Sequence, residues 1–284
     1  MSAPKLEPNL ALPLHERNAE FRWKPITGPF RRLTDEQAQS YNEAGYFLLS
    51  GALDTATVEA VTKAIDPLEQ ATEAALRKQA GGRHFIARAG EITFTPHLVT
   101  RSEFLRGFVS GPLFQDLVHD LVGPDVRLYW DQAVYKKPGT DDPFPWHQDN
   151  GYAFIEPQQY LTCWIALSDT DETSGCPCVV PGLHLRGTLH HQLTDLGYEC
   201  LPESPKSAVP VPARAGDIVV FSSLTPHTTG AHRGTHTRKA YIVQFAPDGA
   251  KVFRPDGKGG VTCTTADAAE RQFPILIHGE APSD

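Results

Sequence analysis

The chain has 284 residues, of which 40% are hydrophobic, and a formal net charge of -8 from 26 basic and 34 acidic side chains. Binding to phosphates depends on clustered Lys and Arg, so this acidic balance argues against a nucleic-acid partner and favours a small molecule. No run of about 18 or more apolar residues is available to span a bilayer. The five cysteines are an odd number without the density of a disulfide scaffold, which fits a reducing compartment. We expect a cytoplasmic protein with no membrane partner.

The first part of the chain predicts an extension followed by helices. Residues 1–32 are rich in Pro and polar residues without sustained periodicity, so we interpret them as an N-terminal extension. Thr34 and Gln37 have the spacing of a capping box, which predicts a helix ending near Gly45, and YFLLSG then predicts a short strand. Asp54 is suited to cap a second helix. The apolar face of that helix consists of Val58, Val61, Ile65 and Leu68.

The second part of the chain changes from helical period to a period of two. Residues 79–100 have weak periodicity and predict a long loop, and a helix around Leu117 is expected to stop at Gly123. The segment VRLYWDQAVYKK predicts a long strand, and LTCWIALSD, CVVPG, GDIVVF and KAYIVQF predict shorter ones. Helices followed by strands, without regular alternation, argue against a doubly wound parallel sheet. They predict one mainly β domain over residues 33–284, an antiparallel sandwich or barrel with flanking helices.

His147-Gln148-Asp149 is the motif with the clearest chemical meaning. Side chains two apart in a strand point to the same face, so His147 and Asp149 can bind one metal while Gln148 turns away. His227, directly after Pro226, supplies a second imidazole far downstream. Two imidazoles and one carboxylate with open positions are typical of non-haem Fe(II) oxygenases, whereas a structural zinc site closes its fourth position with thiolate or imidazole. We therefore predict Fe(II) here, with O2 as a co-substrate.

Arg238 lies eleven positions after His227 (238 minus 227) and just ahead of an alternating run. An iron with open positions needs an electron donor, and a keto acid serves if a cation captures its distal carboxylate. The planar guanidinium fork matches a carboxylate in a way that a lysine ammonium does not. Arg238 is the candidate for this role, and the hydroxyl of Thr229 can add a hydrogen bond to the same acid.

Several short motifs resemble, in order, those of the phytanoyl-CoA dioxygenase family of Fe(II)- and 2-oxoglutarate-dependent oxygenases. The family pattern is a lysine in KxPG, WHxD, a tryptophan in a WIAL-like strand, a PGSH-like turn, GDxxxF, a distal histidine and a downstream arginine. The resemblance covers residues 34–247. In this chain the motifs are Lys136-Lys137-Pro138-Gly139, Trp146-His147-Gln148-Asp149, Trp164-Ile165-Ala166-Leu167, Pro181-Gly182-Leu183-His184, Gly216-Asp217-Ile218-Val219-Val220-Phe221, His227 and Arg238.

The resemblance implies a double-stranded β-helix, a cupin-like jelly roll, with iron held by His147, Asp149 and His227. It implies that 2-oxoglutarate is held by Arg238. The supporting contacts that it implies are Lys136, Trp164 and Thr229. The implied activity is hydroxylation of an unactivated C–H bond of a small-molecule substrate, with formation of succinate and CO2. Desaturation, epoxidation, ring closure and demethylation are alternative outcomes of the same chemistry.

The chain departs from the family pattern in the region before the PGSH-like turn. Glu172-Thr173-Ser174-Gly175 stands where the family often has Glu-Asn-Gly, and Leu183 replaces the usual Ser. Contacts borrowed from that loop are therefore not carried over. In related halogenases the metal carboxylate is replaced by a small residue. The presence of Asp149 consequently favours hydroxylation or a related oxidation over halogenation.

Further residues are assigned on weaker grounds. Trp146, Tyr152, Phe154 and the 79–100 segment are predicted to line the substrate pocket, on aromatic character and proximity in sequence. Lys137 takes the role of Lys136 if the strand register is shifted by one. His184 is interpreted as a structural turn residue. Cys176-Pro177-Cys178 lacks a second ligand pair and is not predicted to bind a metal.

Two alternative functions stay open from the sequence. One is a cupin-like, metal-dependent enzyme that uses His147, Asp149 and His227 without 2-oxoglutarate, which leaves Arg238 without a role. The other is a non-catalytic jelly-roll binding module, against which the intact ligand set argues.

Overall fold

The computed structural model describes residues 12–283. Its helices are α1 (Asp35–Ala44), α2 (Thr55–Leu76), α3 (Glu103–Val109) and α4 (Pro112–Leu121). Its strands are β1 (Tyr46–Leu49), β2 (Arg83–His84), β3 (Ala87–Arg88), β4 (Ile92–Pro96), β5 (Val126–Lys136), β6 (Phe144–His147), β7 (Phe154–Glu156), β8 (Leu161–Ala166), β9 (Pro177–Val179), β10 (Gln192–Thr194), β11 (Gly197–Glu199), β12 (Val209–Pro210), β13 (Ile218–Ser222), β14 (His227–Thr229), β15 (Arg238–Pro247), β16 (Lys251–Pro255), β17 (Val261–Thr265) and β18 (Pro274–Leu276).

The first two helices begin at the predicted caps, and α1 ends at the predicted glycine. The Thr34 side chain accepts a hydrogen bond from the Gln37 backbone N–H, and the Gln37 side chain accepts one from the Thr34 backbone N–H, which is the expected capping box. Helix α1 ends at Gly45, whose φ of 83° is left-handed. A Cβ at Gly45 would lie 2.5 Å from the Thr225 hydroxyl oxygen, so this turn accepts only glycine. Asp54 caps α2 through the Thr57 N–H.

The two main sheets face each other and form the double-stranded β-helix. The larger sheet has the order β1-β13-β8-β15-β5-β4-β3-β2, with β18 beside β5, and the smaller one has the order β12-β9-β14-β6. The pairings within both sheets are antiparallel. The predicted mainly β jelly roll with flanking helices is confirmed.

The larger sheet is apolar on both faces, and each face packs against a different layer. Its outer face contacts the helices through a core that includes Val61, Ile65, Leu105, Leu117, Tyr135, Cys163, Ile165, Val220, Tyr241 and Val243. Its inner face meets the smaller sheet in a second core that includes Val134, Trp164, Val179, Val211, Val219, Phe221 and Ile242. The strands β5, β8, β13 and β15 are buried on both sides for this reason, as their continuous apolar runs indicate.

The prediction of a long loop over residues 79–100 was wrong in part. This segment contains β2, β3 and β4, and β4 pairs with β5 over five residue pairs, from Ile92 opposite Lys136 to Pro96 opposite Gln132. The apolar side chains that alternate in ITFT are too few to give a clear period, yet Ile92 belongs to the inner core. Gly81 and Gly82 lie in a 3-10 turn before β2, and Gly90 lies between β3 and β4.

The described part of the predicted extension is attached to the domain. Residues 12–32 contain no helix, but Leu14 forms an isolated bridge with Leu189. The buried Asn18 amide donates hydrogen bonds to the carbonyls of Arg186 at 2.8 Å and Thr188 at 2.9 Å. Residues 1–11, the rest of the predicted extension, lie outside the described range. Among the residues described, none belongs to a helix long and apolar enough to cross a membrane.

Candidate metal and keto-acid site

The smaller sheet brings the predicted metal ligands together. His147 ends β6, His227 begins β14, and the two residues are register partners with ring centroids 4.1 Å apart. Asp149 follows, and its carboxylate oxygen lies 3.9 Å from the His227 Nε2 atom. One ligand atom from each of the three residues lies within 4.8 Å of the others. The arrangement has the size of a single-ion site.

The backbone at Asp149 differs from the prediction. The strand ends at His147, and Asp149 begins a short 3-10 turn that runs to Gly151. Gln148 between them is still extended, with φ -107° and ψ 144°. The spacing of two therefore still turns both ligands to one side. Asn150-Gly151 favours this 3-10 turn, and the alternating pattern of the strand alone does not reveal the turn.

Both imidazoles are oriented by backbone carbonyls. The Nδ1 atom of His147 lies 2.8 Å from the Pro145 oxygen, and that of His227 lies 3.0 Å from the Thr225 oxygen. A carbonyl only accepts, so each Nδ1 carries the proton and each Nε2 offers its lone pair. Burial, followed by the neighbouring His227, holds the pKa of His147 well below its usual value. His147 is therefore in the neutral form that binds metals.

The carboxylate of Asp149 is oriented as well. Its Oδ2 atom accepts a hydrogen bond from the Thr162 hydroxyl at 2.5 Å. Thr162 is fully buried on β8. It lies two residues before Trp164, so its side chain is on the same inner face of the larger sheet. Sequence reasoning missed Thr162, although this spacing of two from Trp164 was a signal for it.

Arg238 lies across the barrel from the smaller sheet, at the start of β15. It is 1% exposed, and its Nη1 atom donates to the Gly175 carbonyl at 2.9 Å. Its Nε atom is buried without a protein partner, and its guanidinium carbon lies 5.4 Å from the Trp164 ring centre. Burial lowers the pKa of Arg238 to about 10, so it is charged at neutral pH. A buried cation with a free donor fits a carboxylate ligand.

The structure separates the roles of the two adjacent lysines. Lys136 is the register partner of Arg238, is 1% exposed, and donates from Nζ to the carbonyls of Asp142 at 3.0 Å and Gly230 at 2.6 Å. Lys137 points the other way, toward α2, where its Nζ atom lies 3.0 Å from a Glu73 carboxylate oxygen. Lys136 is thus the lysine on the inner face.

The remaining predicted site residues divide between two regions. Thr229 ends β14, two residues after His227 and on the same side of the strand. The Tyr152 ring lies 5.5 Å from the His147 ring, and its hydroxyl is buried without a protein partner. Trp146, in contrast, belongs to a separate core with Val180 and Leu183 among its members.

Trp146 and Phe154 do not fit the predicted role of pocket lining. Trp146 precedes His147 on β6, and alternation turns its side chain to the opposite face. Phe154 is stacked on His15 with ring centroids 4.5 Å apart and lies 6.2 Å from the Phe253 ring. It belongs to the β7-β16-β17 sheet. Proximity in sequence misled the prediction, because the chain leaves the barrel after the 3-10 turn.

His184 has a structural role, in line with its interpretation as a turn residue. It is fully buried, its ring packs edge-on against Trp23 at 4.5 Å, and its Nε2 atom lies 3.2 Å from the Asn42 carbonyl oxygen. Burial lowers its pKa to about 4, so it is neutral. Cys176 and Cys178 are free, and burial raises the pKa of each thiol to about 11, so neither is a reactive thiolate.

The fold and the site together define a class. A double-stranded β-helix whose interior presents two imidazoles and a carboxylate, with a buried arginine opposite, is the architecture of Fe(II)- and 2-oxoglutarate-dependent oxygenases. The chain belongs to the phytanoyl-CoA dioxygenase (PhyH) family, whose model matches residues 41–240.

Similar proteins support the same class. A methylphosphonate hydroxylase from Gimesia maris is 28% identical over 224 residues, which are 75% of this chain and 80% of that protein. A 2-aminoethylphosphonate dioxygenase from an uncultured bacterium is 22% identical over 221 residues, 75% of this chain and 81% of that protein. The alternatives of a cupin-like enzyme without 2-oxoglutarate and of a non-catalytic module are not supported. The enzyme is an Fe(II)- and 2-oxoglutarate-dependent dioxygenase.

Solved structures share the fold. The 2-oxoglutarate-dependent carbocyclase SnoK from nogalamycin biosynthesis superimposes with a TM-score of 0.64 at 24% identity, covering 82% of this chain and 92% of that one. EvdO2 from Micromonospora carbonacea var. aurantiaca, solved with 2-oxoglutarate, gives 0.61 at 22% identity, covering 77% and 93%.

Proposed function

We propose that this enzyme hydroxylates an unactivated C–H bond of a small-molecule substrate in the cytoplasm, converting 2-oxoglutarate and O2 to succinate and CO2. The observation that carries the proposal is the donor set: three ligand atoms lie within 4.8 Å of one another, and a buried arginine across the barrel has an Nε atom without a protein partner. We further propose that His147, Asp149 and His227 hold Fe(II), and that Arg238 holds the distal carboxylate of 2-oxoglutarate.

When bound, Fe(II) and 2-oxoglutarate would supply the electrons that activate O2, the oxidant, and the protein supplies position and exclusion of water. The carbonyls at Pro145 and Thr225 keep both Nε2 atoms turned inward. Lys136 and the Trp164 ring flank Arg238 on the inner face of the larger sheet, and Thr229 extends β14 toward the same space. Because a charged guanidinium buried away from water interacts strongly with a carboxylate, this end of the barrel favours a dicarboxylate over a neutral ligand.

Asp149 supports hydroxylation over halogenation. Its carboxylate occupies the third protein position and is fixed by Thr162. A halide therefore has no vacant position in the set of protein ligands around the metal. A substrate carbon held near the open side of the metal site would be hydroxylated.

The experiment combines metal and co-substrate without oxygen. Protein with Fe(II) and 2-oxoglutarate under anaerobic conditions is expected to show the weak visible charge-transfer band of the chelate. H147A should lose the band because a metal ligand is missing. R238L should require a much higher concentration of 2-oxoglutarate to form the band. R233L is the matched control, since Arg233 is exposed on the same β14-β15 connection. A missing wild-type band, or a band that is unchanged in H147A and R238L, would contradict the proposal.

Oxygen is then admitted with candidate substrates, and succinate and the oxidised product are measured. Methylphosphonate and 2-aminoethylphosphonate come first, because the relatives named for them match three quarters of this chain. A product heavier by one oxygen atom supports hydroxylation. A product that has lost two hydrogens or a methyl group instead means desaturation or demethylation.

A further inference from the structure

The backbone between two of the proposed metal ligands is held by a histidine outside the ligand set. The Gln148 backbone N–H donates to the Nε2 atom of His191 at 2.9 Å. On the other side of the ring, Nδ1 lies 2.9 Å from the Leu189 carbonyl oxygen. A backbone N–H only donates and a carbonyl only accepts, so His191 is a neutral imidazole with its proton on Nδ1.

The side chain of Gln148 is locked into the same loop. It is fully buried, and its amide nitrogen donates to the carbonyls of Gly187 at 2.9 Å and Leu224 at 2.6 Å. Its amide oxygen accepts from the Leu189 N–H at 2.7 Å. Gln148 therefore has both its peptide N–H and its side chain bound to residues 187–191, while its neighbours on each side face the metal site.

The chain leaves space for the imidazole at a specific glycine. A Cβ at Gly151 would lie 2.2 Å from the His191 Nε2 atom, a separation that real Cβ atoms do not reach. Gly151 closes the 3-10 turn that begins at Asp149, and its N–H donates to the Gln148 carbonyl at 2.9 Å. Its φ is not left-handed. A side chain at this position would therefore clash with the His191 ring, although the backbone conformation itself would allow it.

We propose that His191 is a positioning residue of the metal site: by accepting the Gln148 N–H in the space left by Gly151, it fixes the distance and angle between the His147 imidazole and the Asp149 carboxylate. This inference rests on the proposed role of those two residues as ligands. Burial, the largest of the influences on His191, lowers its pKa to about 4 and keeps it in the accepting form. Its effect reaches the metal through one peptide unit, in the manner of groups that orient metal ligands from outside the ligand set.

The test measures Co(II) alone, without 2-oxoglutarate or turnover. H191F removes the acceptor and keeps a ring of similar size, whereas the amide oxygen of H191Q can replace Nε2. We expect H191F to weaken Co(II) binding about tenfold or more and to alter the visible d–d bands, which report the ligand geometry. H191Q should restore both. The control is H190F, because His190 is exposed beside His191.

G151A tests the same contact between His191 and the Gln148 N–H without changing the histidine. It should weaken Co(II) binding by displacing the ring, and it should add little in an H191A background, where no ring is left to displace. Wild-type affinity and bands in H191F would overturn the inference, as would a G151A effect of equal size in both backgrounds. If H191F does not fold, G151A and H191Q decide. Failure of the wild-type protein to bind Co(II) would instead contradict the proposed metal site itself.

Discussion

At the residue scale, the hydroxyl of Thr162 is the contact that orients the Asp149 carboxylate, at 2.5 Å. We predict that T162V lowers the affinity for Fe(II) by about ten- to a hundredfold, because a carboxylate that has lost its orienting partner rotates freely and is no longer held in the binding geometry. T162S keeps the hydroxyl and should bind near the wild-type level. An anaerobic metal titration measures this, and equal affinities of T162V and wild type would show that the contact does not matter for binding.

Lys136 provides a pH dependence of co-substrate binding. Burial, then the positive charges of Arg238 and Arg88, lowers the pKa of Lys136 to about 7. A dicarboxylate binds the protonated lysine more tightly, so the affinity for 2-oxoglutarate should be highest below that pKa and should fall several-fold as the pH rises through it. Arg238, with a pKa of about 10, stays charged over this range.

The measurement is the dissociation constant of 2-oxoglutarate in anaerobic metal-bound protein from about pH 6 to about pH 8.5. K136M should remove most of this pH dependence. K137M should keep it, because Lys137 pairs with Glu73 on the helical side of the sheet. An identical pH profile in K136M and wild type would assign the dependence to another group.

At the element scale, α4 holds the end of the N-terminal extension through one carboxylate. Asp120 accepts hydrogen bonds from the backbone N–H groups of Arg31 and Arg32 at 2.9 Å each and of Leu33 at 3.1 Å. Burial acts to raise the pKa of Asp120, but these bonds and one from His119 outweigh it, so the pKa is lowered. D120N puts an amide donor against backbone donors and should cost about 1–3 kcal/mol of unfolding free energy at neutral pH.

The sign of the pH effect follows from the lowered pKa. A carboxylate with a depressed pKa in the folded state contributes stability above its unfolded value of about 3.9 and loses that contribution as the pH falls through the folded value. The stability difference between wild type and D120N should therefore be constant near neutrality and shrink in acid. Denaturant unfolding at several pH values measures it, and a difference that grows in acid would contradict this account.

Most of these elements could be predicted because their determinants are local. Capping residues predicted the starts of α1 and α2, a left-handed glycine the end of α1, and a long alternating run the extent of β5. The strands β2 to β4 could not be recognised in this way, since they are short and are held to the sheet by the pairing of β4 with β5, in which Ile92 is opposite Lys136, 44 positions later (136 minus 92). Their stabilisation is tertiary, and no local pattern encodes it.

The site residues show the same difference between local determinants, which can be predicted, and long-range contacts, which cannot. The cluster of His147, Asp149 and His227 could be predicted because the chemistry of a metal site restricts residue type and spacing. Thr162 and His191 were not predicted: the spacing of Thr162 from Trp164 indicates only its face of the sheet, and a histidine that forms a hydrogen bond has the same appearance in a sequence as one on the surface. His191 illustrates this, since its partner Gln148 is 43 positions away. Trp146 and Phe154 were misplaced for the complementary reason, because neighbours in sequence separate where the chain leaves the barrel.

At the scale of the whole molecule, ligand binding should be coupled to global stability, because the proposed metal ligands belong to the smaller sheet and its following turn whereas Arg238 belongs to the larger sheet. A ligand at about 100 times its Kd adds about 2.7 kcal/mol to the folded state. At about 2–4 °C per kcal/mol for a domain near this size, 2-oxoglutarate should raise the Tm of Fe(II)-bound protein by about 5 to 10 °C. R238L should lose this increment while keeping that of Fe(II) alone. Anaerobic thermal unfolding measures both, and an equal 2-oxoglutarate shift in R238L would exclude Arg238 as its anchor.

The pairing of His147 with His227 determines when during folding the proposed metal site can form. The two residues are 80 positions apart (227 minus 147), and only the contact between β6 and β14 brings their imidazoles together. Pairings between distant segments form late, after the loop between them has closed. A nascent chain that ends at β6 contains His147 but neither Asp149 nor His227. On the proposed ligand set, the complete metal site therefore forms only after β14 has paired with β6.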